Sequence, residues 1–187
     1  MNAPRHSDCA ADRAEDRAED RAAGLIEAQI DRATTLPALR QAAQHIDAMV
    51  QRLHAQAMPV GRIAQQVGRL NTRVFARLWA QLAPPDLVAH SCLLVMGSEG
   101  RGEQILKTDQ DNALLLRDGF ECPGLPAIAR DFNAALAELG YPRCPGDIML
   151  TNPLWRQPLA AFRETMRSWL YGNQSQDGGR DGPMHLA

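Results

Sequence analysis

The sequence predicts an α+β fold in which an N-terminal helical hairpin precedes a small unit of strands flanked by helices. Three observations lead there: apolar residues recur at alternating spacings of four and three from Leu39 to Leu78, Pro84-Pro85 stops that pattern, and two short apolar runs bounded by glycine follow it. The expected organisation is a disordered charged tail over residues 1–23, a helical region over 24–85 and a functional core over 86–187.

The tail contains the tandem Ala14-Glu15-Asp16-Arg17 and Ala18-Glu19-Asp20-Arg21, whose i,i+4 charge pairs have no apolar face to anchor them. Thr34 or Thr35 followed by Pro37 reads as an N-cap with proline in the first turn. Leu39, Ala43, Ile46, Val50 and Leu53 then mark one amphipathic helix. After Met58-Pro59 a second follows through Val60, Ile63, Val67, Leu70, Val74 and Leu78, and the pair is expected to be antiparallel. Ser91 to Met96 and Asn112 to Leu116 read as buried strands. Residues 126–139 have helical spacing through Ile128, Phe132, Ala135 and Leu139, with Gly140 as the stop. Trp155, Leu159, Phe162, Met166 and Trp169 mark a last helix, with Trp155 and Trp169 as core anchors on one stripe.

Composition narrows the function classes. The chain has 187 residues, 20 Lys plus Arg against 22 Asp plus Glu and a net charge of -2, which argues against nucleic acid as primary partner. No stretch approaches the roughly 18 apolar residues of a membrane span, and the charged start is unlike a signal peptide, so a cytoplasmic protein without a membrane partner is expected. Cys9, Cys92, Cys122 and Cys144 form no CxxC pair and read as reduced thiols, Cys92 packing within its apolar run. His6, His45, His54, His90 and His185 lack ligand spacing, so no zinc site is expected.

The chemistry concentrates in Val95-Met96-Gly97-Ser98-Glu99-Gly100-Arg101-Gly102-Glu103-Gln104 and Thr108-Asp109-Gln110-Asp111-Asn112. A strand that ends in Gly97-Ser98 and enters a glycine-rich turn offers backbone amides and a hydroxyl to phosphate oxygens. Asp109 and Asp111 open the next strand two residues apart, so period-two geometry sends both carboxylates to one face, where they repel unless a cation sits between them. Magnesium or manganese suits carboxylate, phosphate and water oxygens, which makes this a site for a metal-bound nucleoside triphosphate. Arg101 either touches phosphate or shapes the turn through an ion pair with Glu103 or Asp109, whereas Lys107 reads as a solvated charge. A P-loop fails because Gly100-Arg101-Gly102 stands where Gly-Lys-Ser/Thr is needed, and neither the GxGxxG fingerprint nor an EF-hand fits these residues.

These motifs resemble the nucleotidyltransferase core of the polymerase-β-like superfamily. More closely, the Gly97–Gln104 and Thr108–Asn112 segments, with Cys144-Pro145-Gly146-Asp147-Ile148-Met149 and Asn152-Pro153-Leu154-Trp155-Arg156, are similar to bacterial nucleotidyltransferase-like proteins that accompany CBS or cyclic-nucleotide-binding domains. That group is related to the PII uridylyltransferase. The resemblance covers roughly residues 40–187 and implies a small mixed-sheet core, with Asp109 and Asp111 as metal ligands and Gly97 and Ser98 as the triphosphate-holding turn.

The resemblance also implies transfer of a nucleoside monophosphate to a hydroxyl, such as one on a regulatory protein. The family's third carboxylate, in a Phe-Phe-Asp type of stretch, is missing from the sequence, so the core is expected to be C-terminally incomplete. Asp147, after Pro145-Gly146, is a substitute third ligand or a turn residue. The alternative function is a non-catalytic nucleotide-binding or partner-docking module, with residues 36–82 as a homodimer surface.

Overall fold

The computed structural model describes residues 21–172. All but the last three residues of the expected tail, and the polar end from 173 onward, lie outside the described residues. The chain divides into two compact units: one holds residues up to Leu78 with Gly102–Leu106, and the other holds Trp79–Arg101 with the residues from Lys107 onward.

The first unit is helical. Residues 21–32 form helix α1, followed by α2 (Leu36–Ala55) and α3 (Val60–Leu82), whose last turn belongs to the second unit. Thr35 caps α2 as expected: its backbone is extended and its hydroxyl accepts from the Ala38 N–H at 3.4 Å, with Pro37 in the first turn. Ala57, at φ +57°, and Pro59 separate α2 from α3. Of the apolar stripe read from the sequence, Leu39, Ala43, Ile46, Val50 and Leu53 on α2 and Ile63, Val67, Leu70, Val74 and Leu78 on α3 are buried, whereas Val60, the first residue of α3, is 63% exposed.

Helix α1 adds to the expected pair and buries Ala23, Ile26 and Ile30, with Ala33 buried just after it. Arg69 pairs with Glu27 at 2.9 Å and Arg73 with Asp31 at 2.6 Å, while Arg77 Nε donates to the Ala33 carbonyl at 2.7 Å. Both partner series ascend together, so α1 and α3 run in the same direction. His45 Nδ1 lies 2.6 Å from Gln29 Oε1 and ties α2 to α1.

The second unit contains a mixed three-stranded sheet in the order β1-β2-β3. Strand β1 (Ser91–Val95) follows the short helix α4 (Pro85–Ala89) and pairs antiparallel with β2 (Asn112–Leu116), from Ser91 opposite Leu116 to Val95 opposite Asn112. Strand β3 (Arg156–Pro158) pairs parallel with β2, Leu114 opposite Arg156. The central β2 buries Ala113, Leu114 and Leu116. The edge strand β1 is half-buried and Cys92 is exposed, which corrects the expectation of a buried strand with a packed thiol.

Helix α6 (Leu125–Glu138) has Pro126 in its first turn and buries Leu125, Ala129, Phe132, Ala135 and Leu136, and Gly140 at φ +99° lets the chain leave it. Trp79 packs edge-on against Phe132, with ring centroids 5.5 Å apart. The last helix, α7 (Leu159–Tyr171), starts later than its apolar spacing suggests. Trp155 ends a single 3₁₀ turn (Pro153–Trp155) ahead of β3, because Pro158 is extended and lacks an amide donor. Trp155 is buried and reaches Trp169 and Phe162 at centroid distances of 5.4 and 6.5 Å, but Trp169 is only half-buried and α7 buries no residue completely. Among the described residues no helix is long and apolar enough to cross a membrane.

Candidate metal and nucleotide site

Every candidate side chain belongs to the second unit. Strand β1 ends at Val95, and the chain then turns through the four-residue helix α5 (Gly97–Gly100). Gly97 has φ +59°, where a side chain is strained, and a Cβ built on it would overlap Asp111 Oδ2 and stand 3.2 Å from Asp111 Cγ. Gly100 is tight as well, its hypothetical Cβ lying 2.5 Å from the Val95 carbonyl oxygen. Two glycines are therefore required for the turn to press against the carboxylate beside it. The Ser98 hydroxyl is half-buried, 3.2 Å from the Thr108 hydroxyl.

The Met96 N–H donates to the Asp111 carbonyl at 2.9 Å, extending the β1–β2 ladder to the site. Residues 109–112 are held from the other side by the loop after α6. Gln110 N–H donates to the Pro142 carbonyl, and Asn112 N–H to the Ile148 carbonyl, both at 2.9 Å. This alternation sends Gln110 and Asn112 inward, where both are buried, and leaves Asp109 exposed and Asp111 half-buried on the opposite face.

Asn133 of α6 closes the inner face. It is fully buried; its Nδ2 donates to Gln110 Oε1 at 2.6 Å and Asn112 Oδ1 at 3.1 Å, and its Oδ1 accepts from the Thr151 N–H at 3.2 Å. Asn112 Oδ1 also accepts from the Leu150 N–H at 3.0 Å, and Gln110 Nε2 donates to the carbonyls of Asn133 and Tyr141. Arg156 donates to the Leu150 carbonyl at 2.5 Å, so the whole loop is fastened to the core by polar groups. Burial and the neighbouring charge of Arg130 lower the Arg156 pKa from its ordinary value.

That fastening brings Cys144 to the carboxylates. One ligand atom from each of Asp109, Asp111 and Cys144 lies within 4.8 Å of the others. Asp111 Oδ1 is buried with no hydrogen-bond partner among the described residues, an arrangement that costs free energy until a cation or donor satisfies it. The donor set fits a divalent cation: two carboxylates supply charge and a buried thiol supplies a third donor. Burial, then hydrogen bonding to Asp111 and its charge, push the Cys144 thiol above its ordinary pKa, outweighing the N–H groups of Ile148 and Gly146 that point at the sulfur.

The remaining expected residues fall as follows. Arg101 is exposed at the C-cap of α5. Asp147 is exposed at φ +53°, and its N–H donates to the Cys144 carbonyl at 3.1 Å, so it serves the turn that carries Cys144. Lys107 differs from the expected solvated charge: its Nζ stands 5.8 Å from the centre of the Tyr141 ring, and its stem lies against Gly140. In the sequence Cys144 is a reduced thiol and the first residue of the Cys144–Met149 motif, with no ligand role implied. Its place at the site depends on the loop's hydrogen bonds, which no spacing rule foretells.

A family model described as "Putative nucleotidyltransferase DUF294" matches residues 44–176. The chain belongs to the DUF294 family. The match includes the Gly97–Ser98 turn, Asp109, Asp111, Cys144 and Asp147 of this DUF294 member. No curated protein and no solved structure gives a significant match to the chain.

Proposed function

We propose that this chain is a divalent-metal-dependent nucleotidyltransferase that moves a nucleoside monophosphate from a nucleoside triphosphate to a hydroxyl. The observation that carries the reading is the convergence of Asp109 and Asp111 on one face, with Gly97 pressed against the Asp111 carboxylate. A divalent ion bound there, magnesium or manganese, supplies positive charge to the phosphate oxygens and the leaving pyrophosphate. Asp109 and Asp111 hold that ion.

The amides of the Gly97–Ser98 turn and the Ser98 hydroxyl would hold the triphosphate, next to the Asp111 carboxylate against which Gly97 is pressed. Arg101, exposed at the end of the turn, adds a positive charge that can reach the same phosphates. The likeness to the PII uridylyltransferase makes UTP and a protein tyrosine the first donor and acceptor to try.

Incubation of the full chain with each nucleoside triphosphate, Mg2+ or Mn2+ and a candidate acceptor tests the reading by pyrophosphate release. Release that is abolished in Asp109→Asn and in Asp111→Asn is expected, and unchanged turnover in both variants overturns it. A second reading, a nucleotide-binding module without transfer, is favoured by one feature: among the described residues the donor beside the two aspartates is a thiol instead of a third carboxylate. Metal-dependent nucleotide binding with no pyrophosphate release from any donor would select it.

A further inference from the structure

We infer that Cys144 is a metal-ligating thiolate, which with Asp109 and Asp111 makes a three-donor site that prefers a transition-metal ion to magnesium. The inference rests on the metal reading of the two aspartates and deepens it by naming the third donor and the class of ion. Two observations support it. Cys144 is 8% exposed and pairs with no other cysteine among the described residues, yet its sulfur lies among the carboxylate oxygens, within 4.8 Å. Asp111 Oδ1, in the same cluster, is buried without a hydrogen-bond partner among the described residues.

A thiol placed against two carboxylates, one with a buried oxygen that has no hydrogen-bond partner among the described residues, is arranged to exchange its proton for a cation. In that exchange the S–H bond breaks, the proton passes to solvent and the sulfur lone pair forms the metal–sulfur bond, with no change of oxidation state.

The geometry suits the ion class. Bonds of about 2.0–2.3 Å in a tetrahedral site set donors roughly 3.3–3.8 Å apart, so closing the cluster needs movements of about an ångström, within reach of carboxylate rotation. Three protein donors leave a fourth position open for a phosphate oxygen or water. Sulfur is a poor ligand for magnesium and a good one for zinc, cobalt and, more weakly, manganese, so the affinity order should follow the rise from manganese to zinc.

Titration of the full chain with Co2+, followed by absorption, tests this. Near-ultraviolet sulfur-to-cobalt charge-transfer absorption is expected in the unmodified protein and in Cys92→Ser, alongside visible d–d bands. In Cys144→Ser the charge-transfer absorption should vanish, while binding persists about 10–100-fold more weakly, the loss that even an outer-shell partner of a metal commonly causes. Charge-transfer absorption that survives in Cys144→Ser overturns the inference, because another thiol is then the ligand. Co2+ binding that requires both aspartates but lacks the charge-transfer band overturns it too, and leaves the metal-dependent reading of the site standing. Failure to bind Co2+, Mn2+ or Mg2+ in calorimetry overturns both.

Discussion

Replacing Asn133 with alanine tests the link between the core and the site. Asn133 is fully buried, and its amide group makes three hydrogen bonds: to Gln110 Oε1, to Asn112 Oδ1 and from the Thr151 N–H. Asn112 Oδ1 keeps the Leu150 N–H as a partner, but Gln110 Oε1 and the Thr151 N–H lose the partners described above. The buried Gln110 oxygen and the part-buried Thr151 N–H, stripped of partners, cost up to about 3 kcal/mol each, so a loss of roughly 3–5 kcal/mol is expected once the small cavity is included. For a chain of this size that lowers the melting temperature by about 6–20 °C. The assay is urea and thermal unfolding by circular dichroism. The variant should also bind metal more weakly at temperatures where it is folded, since the loop that carries Cys144 is anchored through Thr151. A loss below about 1 kcal/mol would refute the claim that this network fastens the loop.

Gly97→Ala should cost about 1–2 kcal/mol for the left-handed backbone and, by crowding the Asp111 carboxylate, abolish metal binding in calorimetry. A variant that folds and binds metal normally would contradict the pressed geometry of the turn. Trp155→Ala, which removes a buried ring packed on Phe162 and Trp169, should destabilise the second unit by about 3–5 kcal/mol in urea unfolding. With no metal present, iodoacetamide should modify the exposed Cys92 well before the buried Cys144, as read by peptide mass spectrometry. Because burial raises the Cys144 thiol pKa in the folded state, its contribution to stability is full below the unfolded thiol pKa and is lost as pH rises through the folded value. Cys144→Ala should therefore weaken the alkaline loss of stability measured by urea unfolding without metal.

Much of the fold was legible in the sequence because it follows from periodicity. The stripe from Leu39 to Leu78 buries as its spacing requires except at Val60, where α3 begins, Thr35 caps α2, and Gly140 ends the helix before it. Errors arose where one spacing suited two environments. Residues 91–96 and 112–116 look alike as apolar runs, yet sheet order makes one an edge strand and the other central. Trp155 continues the apolar spacing of α7, but Pro158 starts the helix after it. Helix α1 carries only the short apolar series Ala23, Ile26 and Ile30, which in the sequence follows the charge pairs of residues 14–21 without a boundary signal.

The site was legible in part for the same reason. Period-two geometry is local, so it could send Asp109 and Asp111 to one face, and Gly97 next to a strand end is a recognisable turn signal. Cys144 is 33 residues beyond Asp111 in the chain, and its arrival there depends on Gln110, Asn112 and Asn133, whose inward-facing amides carry no pattern of their own. Lys107 was misread because the Tyr141 ring that it covers is likewise distant in sequence.

The central claim is a metal-dependent nucleotide site built from the Gly97–Ser98 turn, Asp109 and Asp111. Its most direct test is calorimetric titration of each nucleoside triphosphate, with Mg2+ or Mn2+ and with chelator, into the unmodified chain and into Asp109→Asn/Asp111→Asn. Circular dichroism checks that the double variant is folded. Binding that needs the metal and disappears in the folded double variant is the predicted result. Nucleotide binding of equal strength in chelator, or undiminished in the double variant, would contradict the account.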